Sequence, residues 1–454
     1  MADNQEPQTS IRELWQIAYP LVITNAGVVF MHFADRIFLS RFSPAALAAS
    51  VPGGSLSFTF VSLFMGLAMY TGIFVAQYEG RKKRAAVAVS LWQGIIISII
   101  SGVIIAFCTP IGFWLIDLFK HAPEAVAFEK QYFGILNYGG GFIILNSALS
   151  SFFIGRGKTK IPMFVSIGGN IFNFGLAYIL IFGKLGFPAY GVKGAAWAVI
   201  ISSVLMIFVY IALIFNAENN KKYRLLRLAG LHKASFLKLL RYGVPNGFSF
   251  FMDVLSFSMF SFMTGHLALA ALDASNIALT MQMLSYMPLL GLGVGVQVLT
   301  GKYMGMGKQG QVYRVVKNAC KMGYSYVAVL GILFFAAPHL LINLFLGSGG
   351  AEAAEITRLA LPLMKIVAVF IIGDCTYLIF GDAIRGAGDT KTHMIIMFVS
   401  AWLIMIPGAY YLVYVLQKGI FTVWAWLTFY SYLTAVLMLA RFLQAKWRKI
   451  DITA

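Results

Sequence analysis

Charged side chains are scarce in this sequence. Asp, Glu, Lys and Arg make up only 11% of its 454 residues, whereas hydrophobic residues make up 59%. A soluble globular domain carries about 25% charged and 45–50% apolar residues. The composition therefore excludes a soluble enzyme, a disordered chain and a fibrous repeat, and it predicts a protein whose apolar surface faces a lipid bilayer.

Cysteines and catalytic motifs are also few. Cys108, Cys320 and Cys375 are too far apart for a disulfide framework or a CxxC metal site. None of the six histidines lies within four residues of another, and the GRGKTK stretch lacks the first glycine of a P-loop. We therefore expect that the protein is not an enzyme and that it binds no cofactor. The polar start MADNQEPQTSIRELW predicts no cleavable signal peptide.

Long apolar runs fill most of the chain. A membrane-spanning helix needs about 20 mostly apolar residues, and no connecting segment is long enough for a soluble domain. The sequence predicts an all-α polytopic membrane protein with twelve transmembrane helices, at roughly 14–38, 46–77, 87–116, 128–153, 161–182, 190–215, 238–263, 274–300, 318–346, 358–383, 393–416 and 421–443.

Basic residues outnumber acidic ones by 35 to 17, which gives a net charge of +18. If both termini are cytoplasmic, 26 of these 35 residues lie on the cytoplasmic side. Such an excess is typical of cytoplasmic loops, so it predicts the orientation of the spans, with both termini in the cytoplasm, and gives no support for nucleic-acid binding. The segments are the N-terminus, 79–84, 155–160, 216–241, 302–321, 385–391 and the tail from Arg441.

The two halves of the chain are related by an internal repeat. A shift of 225 residues aligns Pro20 with Pro245 and Gly66-Leu67 with Gly291-Leu292. This parallel repeat predicts two pseudo-symmetric six-helix lobes, at 1–215 and 242–454, joined by a cytoplasmic linker at 216–241. Secondary transporters are often built this way, with the substrate site between the halves.

Four aspartates fall inside predicted spans: Asp35, Asp253, Asp374 and Asp382. A carboxylate inside a membrane is costly and is a functional candidate by default. The interpretation that competes with function is structural charge pairing.

Asp253 belongs to a polar stripe on a Phe-rich helix. Asn246, Ser249, Asp253 and Ser256 are spaced by three, four and three residues, which places them on one helix face. Because lipid would not solvate these groups, we expect the stripe to face a cavity.

Asp374 shares its helix face with Tyr377 and Gly381. Asp382 stands three residues before Arg385, and this spacing predicts an ion pair near the helix end.

Asp35 has His32 three residues before it, on the same face. Asp35 is a candidate proton or cation site, and the alternative is pairing with Arg36 or Arg41. His32 is either a partner that shares a proton with Asp35 or an ordinary core histidine.

Several of these stretches give the chain a family resemblance. ADRIFLSRFSPAALAA, GVPNGFSFFMD, the spacing from Asp374 to Arg385 followed by GAGDTK, and FGKLGFPAYGVKGAAWA after Asn173 are similar to the multidrug and toxic compound extrusion (MATE) transporters, in particular their bacterial NorM-like branch. The resemblance covers nearly the whole chain. It implies a MATE-like fold and export of cationic amphipathic compounds in exchange for Na⁺ or H⁺.

The resemblance also implies roles for particular residues. Asp253 takes the place of a Glu at the family's cation site, and Asp374 matches the Asp of that site, so these two would hold Na⁺ in a sodium-coupled protein. Asp35 matches the Asp of a VDT-like motif, whose neighbours here are Ala34 and Arg36. Phe370 stands where the family has a Tyr, and Tyr377 where it has a Gln.

A second, DinF-like branch of the family builds an ion site in its N-terminal lobe. Asn173 matches one member of that site, whereas Ala177 and Val199 replace an Asp and a Thr. The complete Na⁺ cage is therefore absent, and Asp35 alone could still carry a proton.

The resulting hypothesis is a monomeric Na⁺- or H⁺-coupled antiporter for small organic cations. A lipid-linked oligosaccharide flippase of the same superfamily is an alternative, but it needs a basic cavity and mid-span Lys and Arg are nearly absent. An ion channel or membrane enzyme would need a filter-like loop or a catalytic cluster, and neither is visible.

Overall fold

The computed structural model describes residues 10–118, 121–264, 269–345 and 351–453. Within these ranges the chain is helical and contains no β-strand. The helices are α1 (Ile11–Phe42), α2 (Pro44–Met69), α3 (Thr71–Gly80), α4 (Arg84–Leu118), α5 (Pro123–Tyr138), α6 (Gly140–Gly155), α7 (Lys160–Phe182), α8 (Val192–Ile214), α9 (Ala217–Tyr223), α10 (Lys233–Thr264), α11 (Leu269–Gly305), α12 (Gln309–Ala336), α13 (Pro338–Asn343), α14 (Ala351–Ala387), α15 (Thr390–Phe398), α16 (Ile406–Tyr410) and α17 (Ile420–Leu443).

Eleven helical segments of the described chain are long and apolar enough to cross a membrane, and α5 with α6, bent by 44°, makes a twelfth when the pair is taken as one span. In the span from Thr390 to Val415, π-helical turns at Val399–Met405 and Tyr411–Val415 flank α16. The prediction of an all-α protein with twelve spans is confirmed.

The helix boundaries follow the repeat found in the sequence. The span made of α2 and α3 runs from Pro44 to Gly80, and α11 runs from Leu269 to Gly305, so both ends are shifted by 225 residues. α4 and α12 begin with the same shift, at Arg84 and Gln309. Corresponding helices of the two halves run in the same chain order, as a parallel repeat requires.

The described residues form two compact units whose boundaries fall inside helices. One unit combines Met1–Val22 with Met252–Asp451, and the other combines Ile23–Phe251 with Ile452–Ala454. α1 and α10 therefore each contribute to both units. The lobes predicted from the repeat are divided at the linker, 216–241. The boundaries of the two compact units lie elsewhere, within α1 and α10.

The first unit shows why the start of α1 groups with the second half of the chain. On α11, a Cβ atom added at Gly291 would lie 2.8 Å from the amide nitrogen of Val22. At the end of the same helix, Lys302 Nζ and the Tyr303 hydroxyl each donate to the Glu13 carboxylate over 2.9 Å.

The second unit contains the repeat-related contact between α10 and α2. A Cβ atom on Gly66 would lie 2.8 Å from the Cα atom of Gly247, and Asn246 Nδ2 donates to the Gly66 carbonyl over 2.7 Å. The 225-residue shift takes Gly66 to Gly291 and Val22 to Gly247. In both units, the first helix of one half packs closely on the second helix of the other half.

This contact makes Gly247→Ala a destabilising change. The new methyl group would lie 2.2 Å from the Leu63 carbonyl oxygen and 3.0 Å from the Leu67 amide nitrogen, so α2 and α10 would have to separate. We expect a loss of about 1–3 kcal/mol in the free energy of unfolding, measured by thermal unfolding in detergent. Gly175→Ala is the matched control, because nothing lies within 4 Å of its added Cβ atom. Equal stability of the two variants would contradict the prediction.

Candidate functional site

The best-ordered acidic centre is formed around Asp374 on α14. Gln282 Nε2, from α11, donates to Asp374 Oδ2 over 2.9 Å, and Ser431 Oγ, from α17, donates to Oδ1 over 3.1 Å. The Asp374 side chain is buried. Gly373 permits this arrangement, because a Cβ atom there would lie 2.4 Å from Ser431 Oγ. Three helices thus hold the carboxylate in a fixed orientation.

Asp253, on α10, lies in the same unit and within electrostatic range of Asp374. The charges of both carboxylates also act on the phenols of Tyr286, Tyr377 and Tyr430. Asp253 is only half-buried. We call this set of residues the C-terminal acidic site: Asp253 and Asp374, the Gln282 and Ser431 side chains that donate to Asp374, and the phenols of Tyr286, Tyr377 and Tyr430.

The two serines of the Asp253 stripe each donate a hydrogen bond within α10. Ser249 Oγ donates to the Pro245 carbonyl over 2.9 Å, and Ser256 Oγ donates to the main-chain carbonyl of Asp253 over 3.0 Å. Asn246 bonds to α2, as described above. The predicted role of the two serines as cation or substrate contacts remains a prediction.

Phe370 and Tyr377 lie on either side of Asp374 along α14. Phe370 is buried, whereas Tyr377 is half-buried and its ring lies 6.1 Å from the ring of His393. Of these two side chains, Tyr377 carries an ionisable group, and its phenol is within electrostatic range of both Asp253 and Asp374.

The predicted ion pair between Asp382 and Arg385 is present. Arg385 Nη2 donates to Asp382 Oδ1 over 2.5 Å. The Asp382 carboxylate is buried at 1% exposure and packs against Gly293 of α11, where a Cβ atom would collide with it. The ion pair therefore lies in the interior of the helix bundle. The sequence predicted that the pair forms near the helix end, but it did not predict that the pair is buried.

Asp35 in α1 stands in a second site, in the other unit. Asp35 is 5% exposed, and neither carboxylate oxygen has a hydrogen-bond partner within the described residues. The predicted pairing with Arg36 or Arg41 and the shared proton with His32, which is exposed, are therefore not observed.

Asn173 on α7 has the same property. It is fully buried, and both polar atoms of its amide lack a partner in the described chain. Buried polar groups without hydrogen bonds are rare in folded proteins and point to a bound ion, water or proton. Ala177 is packed in an apolar cluster with Val199 at its edge, so those two positions supply no oxygen ligand from their side chains.

Sequence reasoning missed four members of the C-terminal acidic site: Gln282, Tyr286, Tyr430 and Ser431. Gln282 and Tyr286 are spaced by four residues on α11 and share a face. That spacing was a usable signal for a polar face. Nothing in the sequence indicated that α17 would bring Ser431 to Asp374.

The described part of the chain has up to twelve apolar spans, a parallel repeat and buried acidic side chains, and this combination is typical of a polytopic membrane transporter. The MatE family model matches residues 20–179 and 245–411. The chain belongs to this family, as the sequence resemblance predicted, and it is a secondary transporter and not an enzyme.

Individual relatives match over nearly their whole length. The chain is 29% identical over 444 residues to a probable multidrug resistance protein NorM of Thermotoga maritima, which covers 96% of this chain and 93% of that protein. It is 27% identical over 429 residues to the multidrug resistance protein NorM of Burkholderia vietnamiensis, with coverage of 94% and 92%. A solved outward-facing multidrug resistance MATE family transporter has the same fold, with a TM-score of 0.86, 21% identity and 97% coverage of both chains.

Proposed function

We propose that this chain is a multidrug exporter that expels small organic cations in exchange for Na⁺ or H⁺. The observation that carries the proposal is the buried Asp374 carboxylate, oriented by Gln282 and Ser431 within a membrane span. A buried carboxylate is costly unless a cation or proton compensates its charge. The multidrug resistance names of the NorM relatives agree with an organic cation as cargo.

The C-terminal acidic site has the chemistry for such an exchange. Its carboxylates attract either a coupling cation or a lipophilic cation, and its phenol rings offer faces for cation–π contact. Within the described residues, no group of three or more His, Cys, Asp or Glu could hold a metal ion. Na⁺ would therefore be held by Asp253 and Asp374 together with oxygens of neutral side chains. Because ion and cargo require the same negative charge, binding of one favours release of the other.

Asp35 and Asn173 form a second candidate coupling site. The buried, unbonded carboxylate of Asp35 would accept a proton, and Asn173 offers a buried amide that has no partner within the described residues. In this proposal the two carboxylate sites bias the exchange between outward-open and inward-open states of a rocking transporter.

The placement of basic residues supports a bacterial inner membrane location with both termini in the cytoplasm. We propose that the monomer is the transporting unit, because each carboxylate site described above is assembled within one chain.

Transport by the purified chain in liposomes tests the proposal. A Na⁺ gradient and a pH gradient, applied separately, are each combined with ethidium as a fluorescent organic cation. We expect at least one gradient to drive counterflow, and Asp253→Asn to reduce the rate by about 5- to 150-fold, the usual range for coupled sites. Ion flux that is independent of ethidium would indicate a channel and contradict the proposal, as would the absence of counterflow under both gradients.

A further inference from the structure

The segment between α8 and α10 carries apolar side chains that point outward among basic ones. Leu226, Leu231 and Leu237 are 60%, 62% and 53% exposed. Their exposed basic neighbours are Lys221, Arg224, Arg227 and Lys233, and the segment from 217 to 238 contains one acid, Glu218. We call the surface formed by residues 221–237 the linker surface.

Hydrogen bonds between side chains of α4 and the main chain of this segment hold it against α4. Trp92 Nε1 donates to the Leu225 carbonyl over 2.9 Å, and Gln93 Nε2 donates to the Gly230 carbonyl over 3.0 Å. The amide nitrogen of His232 donates to Gln93 Oε1 over 3.2 Å. Leu226 and Leu231, which lie between these anchors, are therefore exposed on a backbone that is held in place.

A polar cluster holds α9 as well. The buried Tyr223 hydroxyl donates to both oxygens of Glu79 over 3.1 Å, and burial raises the pKa of Tyr223, so the phenol keeps its proton. The Arg156 guanidinium packs over the rings of both Phe152 and Tyr223, at 4.9 and 4.7 Å from their centroids. Arg156 also donates to Asn219 over 3.2 Å.

The anchors also fix the depth of the linker surface. Trp92 is eight residues into α4, which begins at Arg84, so it lies about 12 Å along that helix. Trp92 lies five residues into the span predicted at 87–116, and the isoleucine-rich stretch GIIISIISGVIIAF follows Gln93. Tryptophan near the start of an apolar span is typical of the membrane–water interface. From this position we infer that the linker surface lies near the level of the lipid headgroups, where exposed leucines can enter the acyl boundary.

We propose that the linker surface binds anionic phospholipid of the leaflet on its own side of the membrane. Arg224, Arg227 and Lys233 would contact the headgroup phosphates, while Leu226 and Leu231 pack against the acyl chains. Charge complementarity favours this occupant, since exposed basic residues surround the leucines and a cytoplasmic leaflet rich in anionic lipid is negatively charged. This inference goes beyond transport and does not depend on the coupling ion.

Lipid retention by the full chain tests this inference. The protein is placed in phosphatidylcholine nanodiscs that contain a minor fraction of phosphatidylglycerol, and the retained lipids are counted by native mass spectrometry. Wild type should retain phosphatidylglycerol selectively. The triple variant Arg224→Gln/Arg227→Gln/Lys233→Gln should retain it about 10- to 100-fold less well, given the contribution of each basic residue at an anionic surface and its screening by salt.

The control is Lys158→Gln/Arg314→Gln/Lys317→Gln, which removes the same charge from exposed positions outside the linker surface. It should retain phosphatidylglycerol like wild type. Leu226→Gln/Leu231→Gln should weaken retention of both lipids. Thermal unfolding in detergent confirms that each variant is folded. Equal retention of phosphatidylglycerol by wild type and by the Arg224/Arg227/Lys233 triple variant would overturn the proposal. A partner protein would then be the remaining candidate for binding to the linker surface. An equal loss in the control would show that only net charge matters, and would also overturn it.

Discussion

Asp374→Asn is expected to abolish ethidium efflux while the protein remains in the membrane at its normal level. Asparagine keeps the size of the side chain and one oxygen that can accept from Gln282 or Ser431, but it removes the negative charge. Loss of one partner of a buried, hydrogen-bonded charge pair costs about 2–5 kcal/mol, which is roughly 30-fold or more in affinity for the cation. Efflux from cells and counterflow in liposomes, both normalised to the amount of protein, measure the effect.

Asp117→Asn is the control for this change. Asp117 is an exposed carboxylate that pairs with Lys130 at 2.6 Å, and exposed pairs contribute little to stability or function. We expect wild-type efflux from this variant. Wild-type efflux from Asp374→Asn, and likewise from Asp253→Asn, would show that the C-terminal acidic site does not couple transport.

Asp382→Asn should cause the largest loss of stability. It removes the carboxylate partner of Arg385, whose guanidinium remains in the bundle interior at 16% side-chain exposure. Removing one member of a buried ion pair costs about 3–5 kcal/mol. The double variant Asp382→Asn/Arg385→Gln should recover most of that loss, because no charge then remains without its partner. Thermal and denaturant unfolding of the purified proteins measure the differences.

The same helix provides a matched control for this ion pair. Glu355 and Arg358 have the same three-residue spacing on α14 and a contact of 2.7 Å, but both side chains are exposed. Glu355→Gln should leave the unfolding midpoint unchanged. The prediction is contradicted if Asp382→Asn is as stable as wild type, or if the double variant is no more stable than the single one.

The spans and the repeat could be predicted from the sequence because the bilayer imposes strict conditions on a chain. A spanning segment must be long and apolar, and its backbone must form a helix. For the same reason each mid-span acid stood out, and Asp374 and Asp253 were both identified. The sequence therefore predicted which residues carry charge inside the membrane.

The partners of those acids were not predictable in the same way. Gln282 and Ser431 are 92 and 57 residues away from Asp374 in the chain, and helical periodicity does not say which helices pack together or at what depth. The Gly66–Gly247 contact could not be predicted from the sequence for a related reason. A glycine in an apolar helix indicates a close approach but not its partner. The linker was predicted as a solvated basic loop, whereas the Trp92 and Gln93 hydrogen bonds hold it against α4.

The sharing of α1 and α10 between the two units has a consequence for biogenesis. A membrane protein is synthesised and inserted from its N-terminus, so the first six spans enter the bilayer before α10 exists. Until then, Gly66 on α2 has no Gly247 to pack against, and Glu13 in α1 lacks both Lys302 and Tyr303. Neither unit can complete its packing during synthesis of the first half. A ribosome stalled before α10 would leave an insertion intermediate in which the contacts of α1 with α11 and of α2 with α10 have not formed.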